Sequence, residues 1–198
     1  MLCTNYNNQP NFKSTIQLVN PDTYLRAINK IYYDSNVLFP WTIKESKLAK
    51  DVYTRKIYDC TAVGITNGLT SFLMHICPTE PANFDFAPIK EYLLKKIDFL
   101  RNDYIQGFIL GGKTNPKISP RSIEFFDNFV DILKKEGIPY SKFKGGIYEN
   151  DIAYITEKDT WFISNEYFER YKKDIKPMDA IKVFFDDVEI CPLDELSW

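Results

Sequence analysis

Residues 60–75 read C-T-A-V-G-I-T-N-G-L-T-S-F-L-M-H. Two runs typical of β-strands flank Asn67-Gly68, the dipeptide preferred in two-residue hairpin turns. The pattern predicts an antiparallel hairpin whose turn is centred on Asn67-Gly68. That register places Cys60 directly opposite His75, the single histidine of the chain. Directly opposed residues have Cβ atoms about 4.5–5.5 Å apart.

A thiol facing an imidazole has two interpretations. Cys60 and His75 have the residue types of the nucleophile and general base of a cysteine hydrolase or transferase. Alternatively, Cys60 is a small buried hydrophobic residue and His75 is a hydrogen-bonded core residue. The register decides between them, because a single bulge would move the side chains to the other face of the sheet.

Further elements are predicted on both sides of the hairpin. The strand patterns lie at residues 15–19, 52–58, 104–110, 138–143, within 151–164, and at 181–185. The helix patterns begin at Asn20-Pro21-Asp22, run over 88–100, extend from Ser119-Pro120 to Gly137, and span 165–173. Because the order lacks regular βαβ alternation, we expect an α+β fold with helices packed outside one or two sheets.

Composition limits the classes of function. With 198 residues, of which 44% are hydrophobic, the chain is long enough to form one globular domain over 1–198. Its 25 basic and 27 acidic residues leave a net charge of −2, so neither nucleic acid nor an anionic membrane is expected as a partner. The chain begins without a secretory pattern and lacks an apolar run of about 18 residues.

The four cysteines, Cys3, Cys60, Cys77 and Cys191, lack the C-x-x-C spacing of zinc sites. Free thiols fit a reducing compartment, so we expect a cytoplasmic protein, including one delivered by a specialised apparatus into the cytosol of a host cell. We expect neither a metal nor another cofactor. Cys77 is interpreted as a core residue, and no role is assigned to Cys3 or Cys191.

Four landmarks in order resemble the CheD family of chemoreceptor glutamine deamidases, and more distantly the deamidase toxins of the cytotoxic necrotizing factor and Burkholderia lethal factor type. The first is T-R-K-I-Y-D-C, with Thr54 six residues before Cys60, and the second is M-H-I-C-P around His75. The third is F-I-L-G-G at 108–112, and the fourth is E-G-I-P at 136–139 followed by Gly145-Gly146. Together they cover about half of the chain.

The resemblance implies that Cys60, His75 and Thr54 are the nucleophile, the base and the residue that orients the base. It also implies a sandwich-like core of packed mixed β-sheets flanked by helices, with 1–50 and 151–198 as extensions of a single catalytic domain. The implied activity is conversion of a glutamine on a protein substrate to glutamate. The length of the extensions favours a bacterial effector or toxin over a chemoreceptor enzyme.

The residues around the cysteine add one expectation and one departure from the family. Backbone N–H groups near Cys60 and Thr61 are expected to stabilise the oxyanion of the reaction. Asp59 also lies at the expected substrate pocket, where the family usually has a small residue. An acidic neighbour is expected to raise the thiol pKa unless its side chain points away.

Three alternatives remain open on the same residues. An amine in place of water as the final acceptor gives a transglutaminase, and access for peptide bonds gives a cysteine protease. A thiol disabled by Asp59 leaves a non-catalytic interaction module.

Overall fold

The computed structural model describes residues 14–29, 31, 37–38, 48–77, 85–102, 104–113, 120–146, 148–191 and 195–198. Within these ranges, eleven strands form two mixed sheets, accompanied by five α-helices. The expected α+β fold, with packed mixed sheets flanked by helices, is confirmed.

The elements follow one another along the chain with these bounds. The strands are β1 Thr15–Val19, β2 Val37–Leu38, β3 Val52–Ile57, β4 Thr61–Thr66, β5 Ser71–Ile76, β6 Gln106–Gly111, β7 Tyr140–Lys144, β8 Asn150–Ile155, β9 Thr160–Ser164, β10 Asp187–Glu189 and β11 Glu195–Ser197. The helices are α1 Pro21–Ile28, α2 Ala87–Leu100, α3 Pro120–Lys135, α4 Phe168–Tyr171 and α5 Pro177–Phe184, and Thr156–Lys158 forms a short 3-10 turn.

Each sheet mixes parallel and antiparallel neighbours. The five-stranded sheet has the order β11-β1-β9-β8-β3, in which β1 is parallel to both of its neighbours and the other pairs are antiparallel. The six-stranded sheet has the order β10-β7-β6-β4-β5-β2, with parallel pairs β6–β7 and β5–β2. The predicted hairpin, β4–β5, therefore lies inside the six-stranded sheet.

Three apolar clusters stack the elements in layers. The first joins α2 and α3 to one face of the six-stranded sheet, and the second joins the other face of that sheet to the five-stranded sheet. The third packs α1 on the outer face of the five-stranded sheet. Because β4, β5 and β6 are covered on both faces, all their residues are buried, which explains their continuous apolar runs.

Trp161 of β9 joins the two sheets. Its ring stacks on Phe108 of β6 with a centroid distance of 4.8 Å. It also lies over Gly64 of β4, where an added Cβ would be 2.2 Å from Trp161 Cη2. A glycine is needed at this position because the indole occupies the space of a side chain.

The helices predicted to begin at Asn20-Pro21-Asp22, over 88–100 and from Ser119-Pro120 agree with the structure where it describes them, whereas the helix predicted over 165–173 is reduced to α4, Phe168–Tyr171. The buried stripe of α2 is Ile89, Leu93, Ile97 and Leu100, as the sequence pattern predicts. Asn20 caps α1 by accepting a hydrogen bond from the Thr23 N–H at 2.8 Å. The predicted cap of α3, Ser119, lies outside the described residues.

The predicted strand at 181–185 is wrong, since these residues belong largely to helix α5. Pro177 occupies the first turn of the helix, where its missing N–H costs nothing. Ala180, Ile181 and Phe184 are buried together while Val183 is half exposed, which is helical spacing. Burial of this face against the sheets overrides the β-propensity of the segment.

The predicted register of the hairpin is also wrong, and by two residues. Thr66 pairs with Ser71 and Ala62 pairs with His75, so the turn is centred on Gly68-Leu69 rather than Asn67-Gly68. Asn67 Oδ1 accepts hydrogen bonds from the N–H groups of Leu69 and Thr70 at 3.1 and 2.9 Å. This side-chain capping places Asn67 at the first corner of the turn, and Gly68 takes the next position with φ of +81°.

The terminal segments contribute to the five-stranded sheet. Strand β1 comes from the first 50 residues, while β9 and β11 come from residues 151–198. Of these, β9 pairs with β8, which in turn pairs with β3, the strand that carries Thr54. The single catalytic domain over 1–198 stays a prediction. Across the described ranges, every helix falls short of the length and apolar content that crossing a bilayer requires.

Candidate active site at the Cys60, His75 and Thr54 cluster

Cys60 lies where the chain passes from one sheet to the other. Strand β3 ends at Ile57 in the five-stranded sheet, and β4 begins at Thr61 in the six-stranded sheet. The short connection between them brings Cys60 to the space between the sheets, where it belongs to the inter-sheet cluster and is 6% exposed.

His75 and Thr54 meet across the two sheets. Thr54 Oγ1 lies 2.7 Å from His75 Nδ1, and both side chains are buried. His75 Nε2 is also buried and has no hydrogen-bond partner among the described residues. The ring is therefore oriented by one nitrogen, which leaves the other available to a proton or ligand.

The backbone of Thr54 is held from α1. The hydroxyl of Tyr24 lies 2.8 Å from the Thr54 carbonyl oxygen and 3.0 Å from that of Ile152, so it anchors both paired strands, β3 and β8. The pairing of these strands shifts between Thr54 and Ile57, where Lys56 has φ of +62°. Such a bulge re-aims side chains, and here both Thr54 and Ile57 are buried.

The corrected register places Cys77, rather than His75, opposite Cys60. Their sulfur atoms lie 2.7 Å apart. His75 is two residues before Cys77, and because side chains alternate with a period of two, it remains on the same face. A two-residue error in register therefore changes the partner of Cys60 but keeps the imidazole beside it: the two sulfurs and one ring nitrogen lie within 4.8 Å of one another.

The contact between the two thiols separates their acidities. Hydrogen bonding to Cys77, burial, and the charges of Cys77 and Asp59 raise the pKa of Cys60. The hydrogen bond with Cys60, and to a smaller extent the interaction with His75, lower the pKa of Cys77. Burial opposes the shift at Cys77, but does not outweigh these contacts. Cys77 is therefore the more acidic of the two thiols, and the pair titrates as a unit.

Asp59 does not point away from the thiol. Its Oδ1 lies 3.8 Å from Cys60 Sγ, and its negative charge raises the pKa of Cys60, as expected from the sequence. The contribution of Asp59 is smaller than those of Cys77 and burial.

Thr61, the other residue predicted at the pocket, is the first residue of β4 and is fully buried. Within the described part of the chain, its hydroxyl has no hydrogen-bond partner. An oxyanion site at Cys60 and Thr61 stays a prediction.

At the end of β6, Gly111 of the pair Gly111-Gly112 packs closely against the backbone of Cys60 and Thr61. An added Cβ on Gly111 would lie 2.4 Å from the Cys60 carbonyl oxygen and 2.8 Å from Thr61 Cα. The pair therefore allows close approach of backbone to backbone. Lys113, which follows it, is buried, and its Nζ lies 3.0 Å from the centroid of the Tyr58 ring. This cation–π contact sits next to the Asp59-Cys60 segment.

Cys60, Cys77 and His75 could also hold a metal ion, since thiolate and imidazole ligands suit zinc. Two thiolates on one tetrahedral zinc, each about 2.3 Å from the metal, are about 3.8 Å apart. The sulfurs would have to separate by about 1 Å from their positions here, given the 2.7 Å between them. As arranged, the cluster fits proton exchange between thiols better than metal binding.

The sequence predicts Cys60, His75 and Thr54 as site residues, but it predicts no site role for Cys77 or Tyr24. Cys77, interpreted as a core residue, is only partly buried and contacts Cys60. Tyr24, to which no role was assigned, anchors Thr54. A signal for Cys77 existed in the sequence, since a turn centred on Gly68-Leu69 pairs residue 60 with residue 77.

No family model matches the chain, and no curated protein matches it.

Proposed function

We propose that this protein is a cysteine-dependent protein-glutamine deamidase, which converts a specific glutamine of a target protein to glutamate. The observation that carries the proposal is the 2.7 Å hydrogen bond between Thr54 Oγ1 and His75 Nδ1, made beside Cys60. A nucleophile, a base and a third group that orients the base are the parts of a covalent hydrolase.

The tautomer of His75 sets the chemistry. With its proton on Nδ1, the ring donates to Thr54 Oγ1 and presents the lone pair of Nε2, the buried nitrogen that lacks a partner among the described residues. That nitrogen accepts the proton of the Cys60 thiol. The thiolate attacks the side-chain amide carbon of glutamine and forms a tetrahedral oxyanion.

Collapse of the intermediate completes the reaction in two stages. Backbone N–H groups near Cys60 and Thr61 stabilise the oxyanion, a contribution of about 3–4 kcal/mol for one well-placed donor. The imidazolium protonates the leaving nitrogen, ammonia departs, and a thioester on Cys60 remains. Water, activated by neutral His75, hydrolyses the thioester to glutamate and frees the thiol.

The contact between the sulfur atoms of Cys60 and Cys77 must be broken before Cys60 can react. The pKa of Cys60 is raised chiefly because it is hydrogen-bonded to Cys77 and buried. Productive attack therefore requires a bound substrate to separate the two sulfurs and direct Cys60 toward His75. Substrate binding thus activates the thiol.

A non-catalytic interaction module is the second candidate, and the raised pKa of Cys60 favours it. In that case the thiols and His75 are a polar group in the core. Replacing Cys60 should abolish deamidation if the protein is a deamidase. It should leave binding to the partner protein intact if the protein is an interaction module.

The cellular location and the class of substrate are part of the same proposal. The protein works in a cytoplasm, as a bacterial effector or toxin acting in the cytosol of a host cell, on a protein substrate. Unpaired thiols at Cys60 and Cys77 fit a reducing compartment, and the family resemblance supplies the substrate class.

The test is proteome-wide mass spectrometry of cells producing the wild type, Cys60→Ser or Cys191→Ser, the last removing a buried thiol outside the cluster. We expect a glutamine-to-glutamate conversion at one defined site with the wild type and Cys191→Ser, and none with Cys60→Ser. Growth in heavy-oxygen water should label the new carboxylate, because water resolves the thioester. Incorporation of an amine at that glutamine would identify a transglutaminase instead, and unchanged proteomes would contradict both.

A further inference from the structure

We propose that Cys60 and Cys77 form a reversible disulfide, so that Cys77 is an oxidative modification site controlling the candidate nucleophile. The two sulfur atoms already lie 2.7 Å apart. A disulfide requires about 2.05 Å, a smaller movement than the separation of about 1 Å that a shared zinc ion requires.

The backbone supports closure of this bond. The β4–β5 ladder pairs Thr61 with Ile76, and continuing it by one residue pairs Cys60 with Cys77. Opposed residues in antiparallel strands have Cβ atoms about 4.5–5.5 Å apart, close to the upper end of the range of about 3.5–4.5 Å seen in disulfides. Both cysteines lie one residue beyond the ends of their strands, where the backbone can approach without breaking a ladder pair within the strands.

The difference in solvent exposure between Cys60 and Cys77 predicts which thiol reacts first with an oxidant. Cys60 is 6% exposed, whereas Cys77 is only partly buried and meets solvent first. The oxidant is a low-molecular-weight disulfide. The Cys77 thiolate attacks one of its sulfurs, its S–S bond breaks, and one small thiolate leaves.

The second exchange closes the protein disulfide. The Cys60 sulfur, having lost its proton, attacks Cys77 in the mixed disulfide, and the second small thiolate leaves. The protein loses two electrons and two protons, and the oxidant is reduced to two thiols. A reducing pool reverses both steps. The consequence for catalysis rests on the proposed function: a Cys60 held in a disulfide cannot attack an amide.

The positions of the methionines give a clean assay. Cyanogen bromide cleaves after Met1, Met74 and Met178, so fragment 2–74 contains Cys3 and Cys60, fragment 75–178 contains Cys77 alone, and fragment 179–198 contains Cys191. The full chain is equilibrated in glutathione buffers of increasing oxidation, quenched in acid and cleaved without reductant. We expect fragments 2–74 and 75–178 to remain joined in oxidising buffer and to separate when reductant is added.

Variants identify the partner within fragment 2–74. Cys3→Ser should leave the joined product unchanged, and Cys60→Ser should abolish it. Cys191→Ser is the matched control for loss of a buried thiol. Separate fragments from the oxidised wild type would overturn the proposal, as would a joined product that persists in Cys60→Ser. So would one bound zinc per chain that prevents oxidation.

The two proposals can fail independently. Deamidation in reducing buffer that is lost on oxidation and restored by reductant supports both. A disulfide without deamidation under any condition contradicts only the enzyme. Deamidation that continues after the disulfide has formed contradicts control by Cys77.

Discussion

Thr54 and His75 belong to different sheets, yet Thr54 Oγ1 and His75 Nδ1 lie 2.7 Å apart in the interior between them. Their contact depends on how β3 and β5 pack face to face, and it fixes the ring that stands beside both Cys60 and Cys77.

Replacing Thr54 with valine tests this contact. Valine keeps the branched shape but removes the hydroxyl, which leaves His75 Nδ1 buried without its partner. A buried polar group that loses its partner costs about 1–3 kcal/mol, so we expect the free energy of unfolding to fall by about that amount. Denaturant titration measures it.

Thr54→Ser is the matched control, because it keeps the hydroxyl. Since the chain has a single histidine, its imidazole resonances report the ring directly, and Thr54→Val should change the tautomer balance while Thr54→Ser preserves it. Identical spectra for the two variants would show that the hydroxyl does not orient the ring.

Replacing Gly111 with alanine should displace Cys60. The new methyl group would lie 2.4 Å from the Cys60 carbonyl oxygen, so this backbone must shift. We expect loss of deamidase activity and a change in Cys60 alkylation rate.

Gly137→Ala separates displacement from backbone strain. Gly137 also has positive φ, +67°, but an added Cβ there meets no described atom within 4 Å. It should lose stability, about 1 kcal/mol, without changing the reactivity of Cys60. If Gly111→Ala and Gly137→Ala changed the alkylation rate of Cys60 equally, displacement of Cys60 by the new methyl group would not be the cause.

Gly64→Ala should separate the sheets at Trp161. The added Cβ would lie 2.2 Å from the indole, and overpacking of a core costs about 1–3 kcal/mol or more. Calorimetry should show a lower Tm. In the Trp161→Phe background the smaller ring leaves room, so the cost of Gly64→Ala should shrink. Additive effects in this double-mutant cycle would exclude the contact as the cause.

Cys77 should be the faster thiol toward iodoacetamide at neutral pH. Its pKa is lowered chiefly by the hydrogen bond with Cys60, so it is more ionised than an ordinary cysteine of pKa about 8.5. Cys60, whose pKa is raised, should stay protonated and react slowly. Mass spectrometry of the labelled thiols at several pH values measures both rates.

Cys60→Ala removes the main cause of the shift and should raise the pKa of Cys77, moving its labelling profile to higher pH. Cys60→Ser retains a donor and should move it less. Faster labelling of Cys60 than of Cys77 in the wild type would contradict the expected order of the two pKa values.

Predictions that rest on local pattern agree well with the structure. Strand β1 has the predicted bounds, and the stripe of α2 is predicted residue for residue, because apolar periodicity reflects the face that an element buries. The strand predicted at 181–185 fails because burial of Ala180, Ile181 and Phe184 favours a helix there.

Local sequence pattern is sufficient to predict the hairpin, the residue types of the site and the shared face of Cys60 and His75, since alternation along a strand is a local property. Which residues make contact depends on the conformation of the turn and, for Thr54 and His75, on tertiary packing. The side chain of Asn67 moved the turn by one residue and made Cys77 the partner of Cys60. Packing of one sheet on the other brought Thr54 to His75, because contacts between sheets depend on burial across the whole core rather than on spacing along the chain.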